Sequence, residues 1–299
     1  KGIWTLGQAA DFVKQGIWPR SPGTPTIGTA TRGNASATVA YTAPTDLGTG
    51  TVTYTATSNP GSLTGTGASP ITVSGLTNGT AYTFTVPAAP PGGTGPASAA
   101  SNSITPVAPP AIGSALGGGY FTGQIDQSGT IYNLVIGPIA SAQSSLVWKT
   151  TPTTTAGTTS VIDGPTNSSN MNNASHPAAQ FCEGLTVGGF SDWYMPAKNE
   201  LEISYYNLKP KIQDNVTNSG ANPNAVPSRG NYSTSNPAQT SLSDFKDTGT
   251  ENFTPSSYWS STQVSASYAW VQIFNDGYQL SAGYKGNSNR VRAVRRILA

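Results

Sequence analysis

The segment Pro106-Val107-Ala108-Pro109-Pro110-Ala111-Ile112 constrains the fold most strongly. Proline fixes its own backbone angle and holds a chain extended, so such a segment spaces two bodies apart instead of crossing a core. The sequence on either side differs in kind, as separate folding units predict. The boundaries read as 1–20, 21–107, a linker at 108–112, and 113–299.

Residues 21–107 carry only two charged side chains, Arg32 and Asp46. Pro22, Pro25, Pro44, Pro60 and Pro70 punctuate short runs of β-forming residues: Ala35–Tyr41, Thr51–Ala56 and Ala81–Val86. Runs of this length between turn signals predict an all-β sandwich. Pro87, Pro90 and Pro91 cannot donate to a ladder, so the strand after Ala81 stops early or lies at an edge. Ahead of this unit, Leu6, Ala9, Ala10, Phe12 and Val13 recur at helical spacing, and Gly16 and Pro19 end the segment. A helix this short is unstable alone. Residues 1–20 are therefore expected to dock on a neighbour, within an oligomer or a larger particle.

Residues 113–299 hold four of the six tryptophans, Trp148, Trp193, Trp259 and Trp270, with Trp4 and Trp18 near the start. Aromatic side chains bury large areas, which places the larger core here. Periodicity is mixed. Strands are expected over Gly119–Ile125 and Ile131–Ile136 around the turn Asp126-Gln127-Ser128-Gly129. Helices are expected over Ala178–Glu183 and Ala197–Leu208, the second bounded by Pro196 and Pro210 with Leu201, Tyr205 and Leu208 on one face. Trp270–Phe274 alternates as a strand, Asn275-Asp276-Gly277 is a hairpin turn, and Tyr278–Leu280 returns. Val291–Val294 reads as one closing strand. The long Asn/Ser/Pro-rich stretch 211–256 is expected to form an ordered surface loop.

Charge is scarce. Only 9% of residues are charged, against about 25% in ordinary domains. With a net charge of +2 and no basic cluster outside Arg290, Arg292, Arg295 and Arg296, neither nucleic acid nor an acidic membrane is an expected partner. Cys182 is the only cysteine, so no intrachain disulfide forms. That suits a chain folded in a bacterial cytoplasm and released by lysis better than a eukaryotic secreted one. No run of about 20 apolar residues predicts membrane insertion, and Lys1-Gly2-Ile3-Trp4 lacks the apolar core of a signal peptide.

Two resemblances follow from particular words. Ile71-Thr72-Val73-Ser74-Gly75-Leu76 through Tyr82-Thr83-Phe84-Thr85-Val86 resembles the E-to-F region of a fibronectin type III domain. The resemblance puts Leu76 in the core and Tyr82 at the tyrosine corner, with Tyr41 where that family usually has tryptophan. Phe190-Ser191-Asp192-Trp193-Tyr194-Met195-Pro196, Glu200-Leu201, Tyr258-Trp259-Ser260-Ser261-Thr262, Ala269-Trp270 and Val291-Arg292-Ala293-Val294-Arg295-Arg296 resemble the Lcl C-terminal domain family. That family is related to C-type lectins and occurs in bacterial adhesins and phage tail proteins. The same pattern is similar to receptor-binding proteins diversified by retroelements. The resemblances imply a multidomain chain: an all-β fibronectin type III-like sandwich, then an α+β C-type-lectin-like domain. They also imply a homo-oligomer, expected as a homotrimer.

The residues point to a site beside that resemblance. Between Gln263 and Arg290, Ala269, Trp270, Val271, Ile273 and Leu280 can face a core. Ser265, Ser267, Tyr268, Gln272, Asn275, Tyr278, Gln279, Ser281, Tyr284, Asn287 and Asn289 cannot all do so. Tyrosine gives rigid contact area, and serine and asparagine give adaptable hydrogen bonds, so these eleven are the candidate ligand-binding residues. An ordinary wet β-surface is the competing reading. Arg290 and Arg292 are expected to brace carboxylates such as Asp276, Asp192 or Glu200, with an acidic ligand as the alternative.

No catalytic site is expected. His176 is the only histidine and no Gly-x-Ser-x-Gly word surrounds a serine. Asp192, Glu200 and Glu202 cluster, but capping and ion pairing account for them. No calcium-binding word of the C-type lectins occurs, so neither metal nor cofactor is expected. The expected function is a phage tail fibre or receptor-binding protein. It recognises a host cell-surface glycan or protein non-covalently and joins other virion proteins through residues 1–20. The alternatives are a structural virion component, such as a decoration or tail protein, and a bacterial cell-surface adhesin. The expected location is the virion, otherwise the cell surface.

Overall fold

The structure, a computed structural model, describes residues 5–14, 21–48, 50–90 and 94–299. The expectations resting on Trp4, Gly16, Trp18, Pro19 and Pro91 lie outside those residues. The chain divides into two compact units, 1–108 and 109–299.

The first unit opens with helix α1 (Leu6–Lys14), matching the spacing of its apolar residues. Seven strands follow among the described residues: β1 (Thr26–Gly33), β2 (Ser36–Thr42), β3 (Thr53–Asn59), β4 (Thr64–Thr66), β5 (Ile71–Ser74), β6 (Thr83–Thr85) and β7 (Ala88–Ala89). They form two sheets, ordered β1-β2-β5 and β4-β3-β6, with β7 beside β3. Alternation makes each strand two-faced. Ala37, Val39 and Tyr41 of β2, Ile71 and Val73 of β5, Ala56 of β3 and Phe84 of β6 enter one shared core. Leu76 and Tyr82 are buried with them, and the Tyr82 hydroxyl accepts the Thr77 N–H at 3.0 Å. Tyr41 is core as well, its ring centroid 4.5 Å from that of Tyr54.

The prolines end the β6 region early, as their missing N–H requires. The next chain to run beside it is not a regular strand. Ser98, Ser101 and Ile104 donate their N–H groups to Val86, Phe84 and Tyr82. The Ser98 and Ser101 hydroxyls accept the N–H groups of Val86 and Phe84. One partner advances three residues while the other advances two, and serine hydroxyls complete the pairing.

The second unit holds β8 (Ala115–Leu116), β9 (Gly119–Gln127), β10 (Thr130–Ile136), α2 (Ile139–Ala142), β11 (Gln143–Val147), α3 (Gly164–Ser169), α4 (Pro177–Glu183), α5 (Lys198–Leu208), β12 (Ala225–Val226), β13 (Ser257–Gln263), β14 (Tyr268–Ile273), β15 (Gln279–Tyr284), β16 (Ser288–Arg292) and β17 (Val294–Leu298). The strands build two five-stranded sheets. One runs β12-β9-β10-β17 with β8 beside β9, and the other runs β11-β16-β13-β14-β15. The chain as described is predominantly β, with few and short helices.

Helix α5 touches β9 of one sheet and β13 and β14 of the other. It therefore buries Leu201, Ile203, Tyr205 and Leu208, and also Glu200 and Glu202. Its start is fixed by Glu200, whose carboxylate accepts the Ala197 N–H at 2.8 Å. Two aromatic clusters fill the interior. Tyr205, Phe253, Tyr258 and Phe274 lie in one, and Trp148, Trp193 and Trp259 in the other.

Two expectations change here. Val291–Val294 is not one strand: β16 ends at Arg292 and β17 begins at Val294, in different sheets. Ala293 makes the crossing, donating to Ala142 and accepting from Gly137. The stretch 211–256 is not merely a surface loop. Ala225, Tyr232, Phe245 and Phe253 from it are buried in the core around α5. Arg292, at the end of β16, is fully buried.

Candidate functional site

The β14–β15 hairpin carries most of the candidate residues. Its strands pair antiparallel, Tyr268 opposite Tyr284 at one end and Gln272 opposite Gln279 at the other. Asn275-Asp276-Gly277 turns the chain between them, and Gly277 donates to the Ile273 carbonyl. Gly277 has φ +79°, and a Cβ there would lie 2.5 Å from Tyr205 Cε1, so only glycine fits the turn. Inward-facing Ala269 and Val271 are buried, which sends Tyr268, Trp270 and Gln272 to the other face.

The eleven residues do not form one patch. Tyr268 and Tyr284 are 41% and 45% exposed, their ring centroids 6.3 Å apart and edge to face. Ser265, Ser267 and Asn287 gather at the same end, where Ser265 Oγ accepts the Tyr268 N–H and Asn287 N–H bonds to the Tyr284 carbonyl. Ser281 is exposed midway along β15. Asn275, Tyr278 and Gln279 lie half-buried at the turn end. Asn289 lies on β16, separated from the hairpin by β13.

Gln272 is a correction: it is 2% exposed. Alternation turns it away from the inner core, but its outer face is covered, and its amide donates to the Gly277 carbonyl at 2.9 Å. Trp270 is also corrected. It is half-buried on that same outer face instead of in the core.

What lies over that outer face makes a cleft of about 280 Å³, lined by Lys198, Asn218, Ser219, Gly220, Asn231, Trp270, Tyr278 and Gln279, with Ala221. The chain at 216–220 is stitched to the hairpin. Val216 donates to Asp276, Ser219 Oγ accepts the Gln279 N–H at 3.1 Å, and the Gly220 N–H reaches Gln279 Oε1 at 3.2 Å. Gly220 has φ +92° and its backbone lies against Tyr232, where a Cβ would meet the ring at 2.1 Å. Lys198, at the start of α5, places its ammonium 5.1 Å from the Trp270 ring centroid. Burial pushes the Lys198 pKa down, opposed by Glu202. The Glu202 oxygens are bound elsewhere, to Asn222 at 2.6 Å, Tyr232 at 3.0 Å and Arg229 at 3.4 Å.

At the Tyr284 end, Lys285 points inward. Its ammonium donates to Thr153 O and Gln263 Oε1 at 3.0 and 2.6 Å and lies 4.3 Å from the Trp148 ring. Lys149 bonds Thr153 O, Thr154 O and Thr155 Oγ1 of the same loop. Burial and Lys149 push Lys285 down to about 8. His176, bonded to Thr155 and Asn173, is pushed down to about 4 by burial and both lysines. Loop oxygens that could serve a cation are thus held by the chain's own ammonium groups. Among the described residues, no group of three or more His, Cys, Asp or Glu is placed to hold a metal ion.

Arg292, Arg295 and Arg296 are braces, whereas Arg290, expected to be one, makes no ion pair among the described residues, and Arg292 has a partner other than those expected. Arg292 meets Glu251 at 2.6 Å, Arg295 meets Asp192 at 2.8 Å, and Arg296 meets Asp163 at 3.0 Å with Glu200 at 4.0 Å. The carboxylates Asp192, Glu200 and Glu202 are each engaged. Glu200 bonds the Tyr194 hydroxyl at 2.7 Å, and burial pushes its pKa up to about 7.

Sequence reasoning missed Lys198, Asn218 and Asn231. The Asn/Ser-rich character of 211–256 was the available signal, but nothing in it names the strand that the loop covers.

A family model described as the Lcl C-terminal domain matches residues 138–295, more than half of the chain. Among curated proteins, none matches. Similar solved structures include the rat CD45 extracellular region, domains d3–d4, at 17% identity and TM-score 0.26, covering 29% of this chain and 51% of that one. The fourth FNIII domain of a human protein is 22% identical with TM-score 0.25, covering 37% and 94%. A fimbrial protein from Bacteroides ovatus is 11% identical with TM-score 0.36, covering 92% and 70%. The chain thus spans about half the length of the CD45 fragment. Likeness at these scores assigns no function. No helix among the described residues is long and apolar enough to cross a membrane.

Proposed function

We propose a function from one premise: this chain belongs to the Lcl C-terminal domain family. It is a surface-displayed recognition protein that binds a host cell-surface glycan or protein without covalent chemistry. In this reading residues 21–107 act as a fibronectin type III-like spacer and 113–299 as a C-type-lectin-like recognition domain. Residues 1–20 attach the chain to a phage tail or particle, and three copies assemble. Repetition on a particle multiplies weak single contacts.

The observation that carries the reading is the exposed Tyr268–Tyr284 pair. Two tyrosines hold 41% and 45% of their surface in water on strands whose other faces are buried. Large, stiff amphipathic side chains on a rigid scaffold lose little entropy on binding.

The test measures adhesion of the full chain to a panel of intact bacterial cells. Replacing Tyr268 and Tyr284 together by Ala is expected to lower binding at least tenfold on the cells that the native chain binds. The thermal midpoint should move by less than about 2 °C, since exposed substitutions change stability little. Undiminished binding by the double variant, or a parallel collapse of stability, rejects the assignment. A structural virion role predicts no cell binding at all.

A further inference from the structure

The cleft beside the hairpin turn holds a cation that no carboxylate contacts directly among the described residues. Lys198 is half-buried, and no ion pair joins it to a carboxylate among the described residues. Glu202, the acid whose charge acts on it, already satisfies Asn222, Tyr232 and Arg229. Among the described residues the Lys198 ammonium has only a long bond of 3.4 Å to Asn199 Oδ1 and the Trp270 ring beneath it. Charged groups taken from water are ordinarily paired. The strongly buried cations among the described residues of this unit are all held: Lys149, Lys209 and Lys285 by oxygens, Arg292 by Glu251 and Arg295 by Asp192. Lys198, half-buried, has no carboxylate bound to its ammonium and borders the open cleft.

The rest of the wall is neutral. Asn218 and Asn231 offer amide edges, and Trp270 and Tyr278 offer ring surface. Amides match the mixed donor and acceptor pattern of hydroxyl groups, and aromatic surface matches the C–H face of a pyranose. A volume of about 280 Å³ suits one ring, just below the usual range of small-ligand sites. Lysine is a point charge with rotatable donors and tolerates a carboxylate of any orientation.

We infer that this cleft binds a single carboxylate-bearing sugar residue, with Lys198 pairing its carboxylate and the amides of Asn218 and Asn231 reading its hydroxyls. The inference rests on the recognition function proposed above and gives that function a ligand chemistry. It uses the turn end of the hairpin, whereas the Tyr268–Tyr284 pair lies at the other end, so the two can be tested apart.

The experiment uses the full chain and follows tryptophan fluorescence and ligand-observed NMR during titration with sodium glucuronate. Methyl glucuronate (the neutral ester), glucose 6-sulfate and acetate are parallel probes. The expected result is glucuronate binding at least tenfold tighter than its ester. Lys198→Met should remove that preference, and Lys198→Arg should keep most of it, with the thermal midpoint unchanged in both. Equal binding of ester and acid, equal or tighter binding of the sulfate, competition by acetate as effective as by glucuronate, or an unaffected Lys198→Met chain would each overturn the inference. Cell binding that survives Lys198→Met while glucuronate selectivity is absent sinks this inference alone. Glucuronate binding without any cell adhesion sinks the recognition function instead.

Discussion

Replacing Glu200 by Gln should change how stability depends on pH more than it changes stability itself. Glu200 is fully buried, and loss of solvation pushes its pKa from 4.5 up to about 7. The Ala197 N–H, the Tyr194 hydroxyl and Arg296 offset only part of that. The folded chain therefore holds a proton here that the unfolded chain has released. A raised folded pKa contributes stability that is full below pH 4.5 and lost as pH rises through about 7. Each pH unit of separation is worth about 1.4 kcal/mol, so the whole effect is roughly 3 kcal/mol, most of it falling between pH 5 and pH 8. Glutamine cannot ionise. Its amide can still accept the Ala197 N–H and can donate to the Tyr194 oxygen. Urea unfolding of the native and Glu200→Gln chains, followed by tryptophan fluorescence at pH 5, 6, 7 and 8, isolates the term. Glu202 and Glu183 titrate in both chains and cancel in the difference. The variant should gain roughly 2–3 kcal/mol on the native chain as pH rises from 5 to 8. Parallel stability profiles would refute the reasoning and mean that Glu200 is ionised in the folded state throughout.

Four further outcomes are expected. Arg292→Met should cost about 3–5 kcal/mol in urea unfolding, because it strands the partly exposed Glu251 against a buried wall; a loss under 1 kcal/mol would show the pair to be dispensable. Tyr82→Phe should cost about 1 kcal/mol by leaving the Thr77 N–H without its acceptor, and no change in the first unit's unfolding would contradict that. Gly283→Ala should cost about 1–3 kcal/mol, since a Cβ there would lie 2.5 Å from Val271 Cγ2 and 2.7 Å from Trp259 Cζ3; a thermal midpoint at or above the native value would count against it. EDTA should leave the thermal midpoint unchanged, because the oxygens of 153–155 and Gln263 are taken by Lys149 and Lys285; a fall of several degrees would reveal a bound cation.

Local signals made much of this architecture readable. The hairpin was legible from alternation and from Asn275-Asp276-Gly277, and α5 from the prolines on either side of it. What failed was information about coverage. Alternation correctly turned Gln272 and Trp270 away from the inner core. It could not report that Lys198 and the 216–220 segment, distant in sequence, lie over that second face. The break at Ala293 carried no proline or glycine to mark it, because an extended chain can leave one sheet for another without turning. Arginine bracing followed from chemistry, yet the choice of Glu251, Asp163 and Asp192 depended on long-range folding. Binding-type composition was visible at eleven positions. Their scatter over both ends and the middle of a hairpin, and onto a strand beyond it, was not, since composition has no geometry.

The serine-stitched segment at 98–104 bears on solubility. A sheet border with free N–H and C=O groups invites neighbouring molecules to add strands, and many proteins repel them with lysines. So lightly charged a chain has few such guards. Here the border is closed by a segment whose three-residue stride matches no ordinary strand, so a foreign chain arriving there meets no regular template. Crowded copies on one surface could then stay separate while remaining nearly uncharged, which keeps their outward faces open to something other than each other.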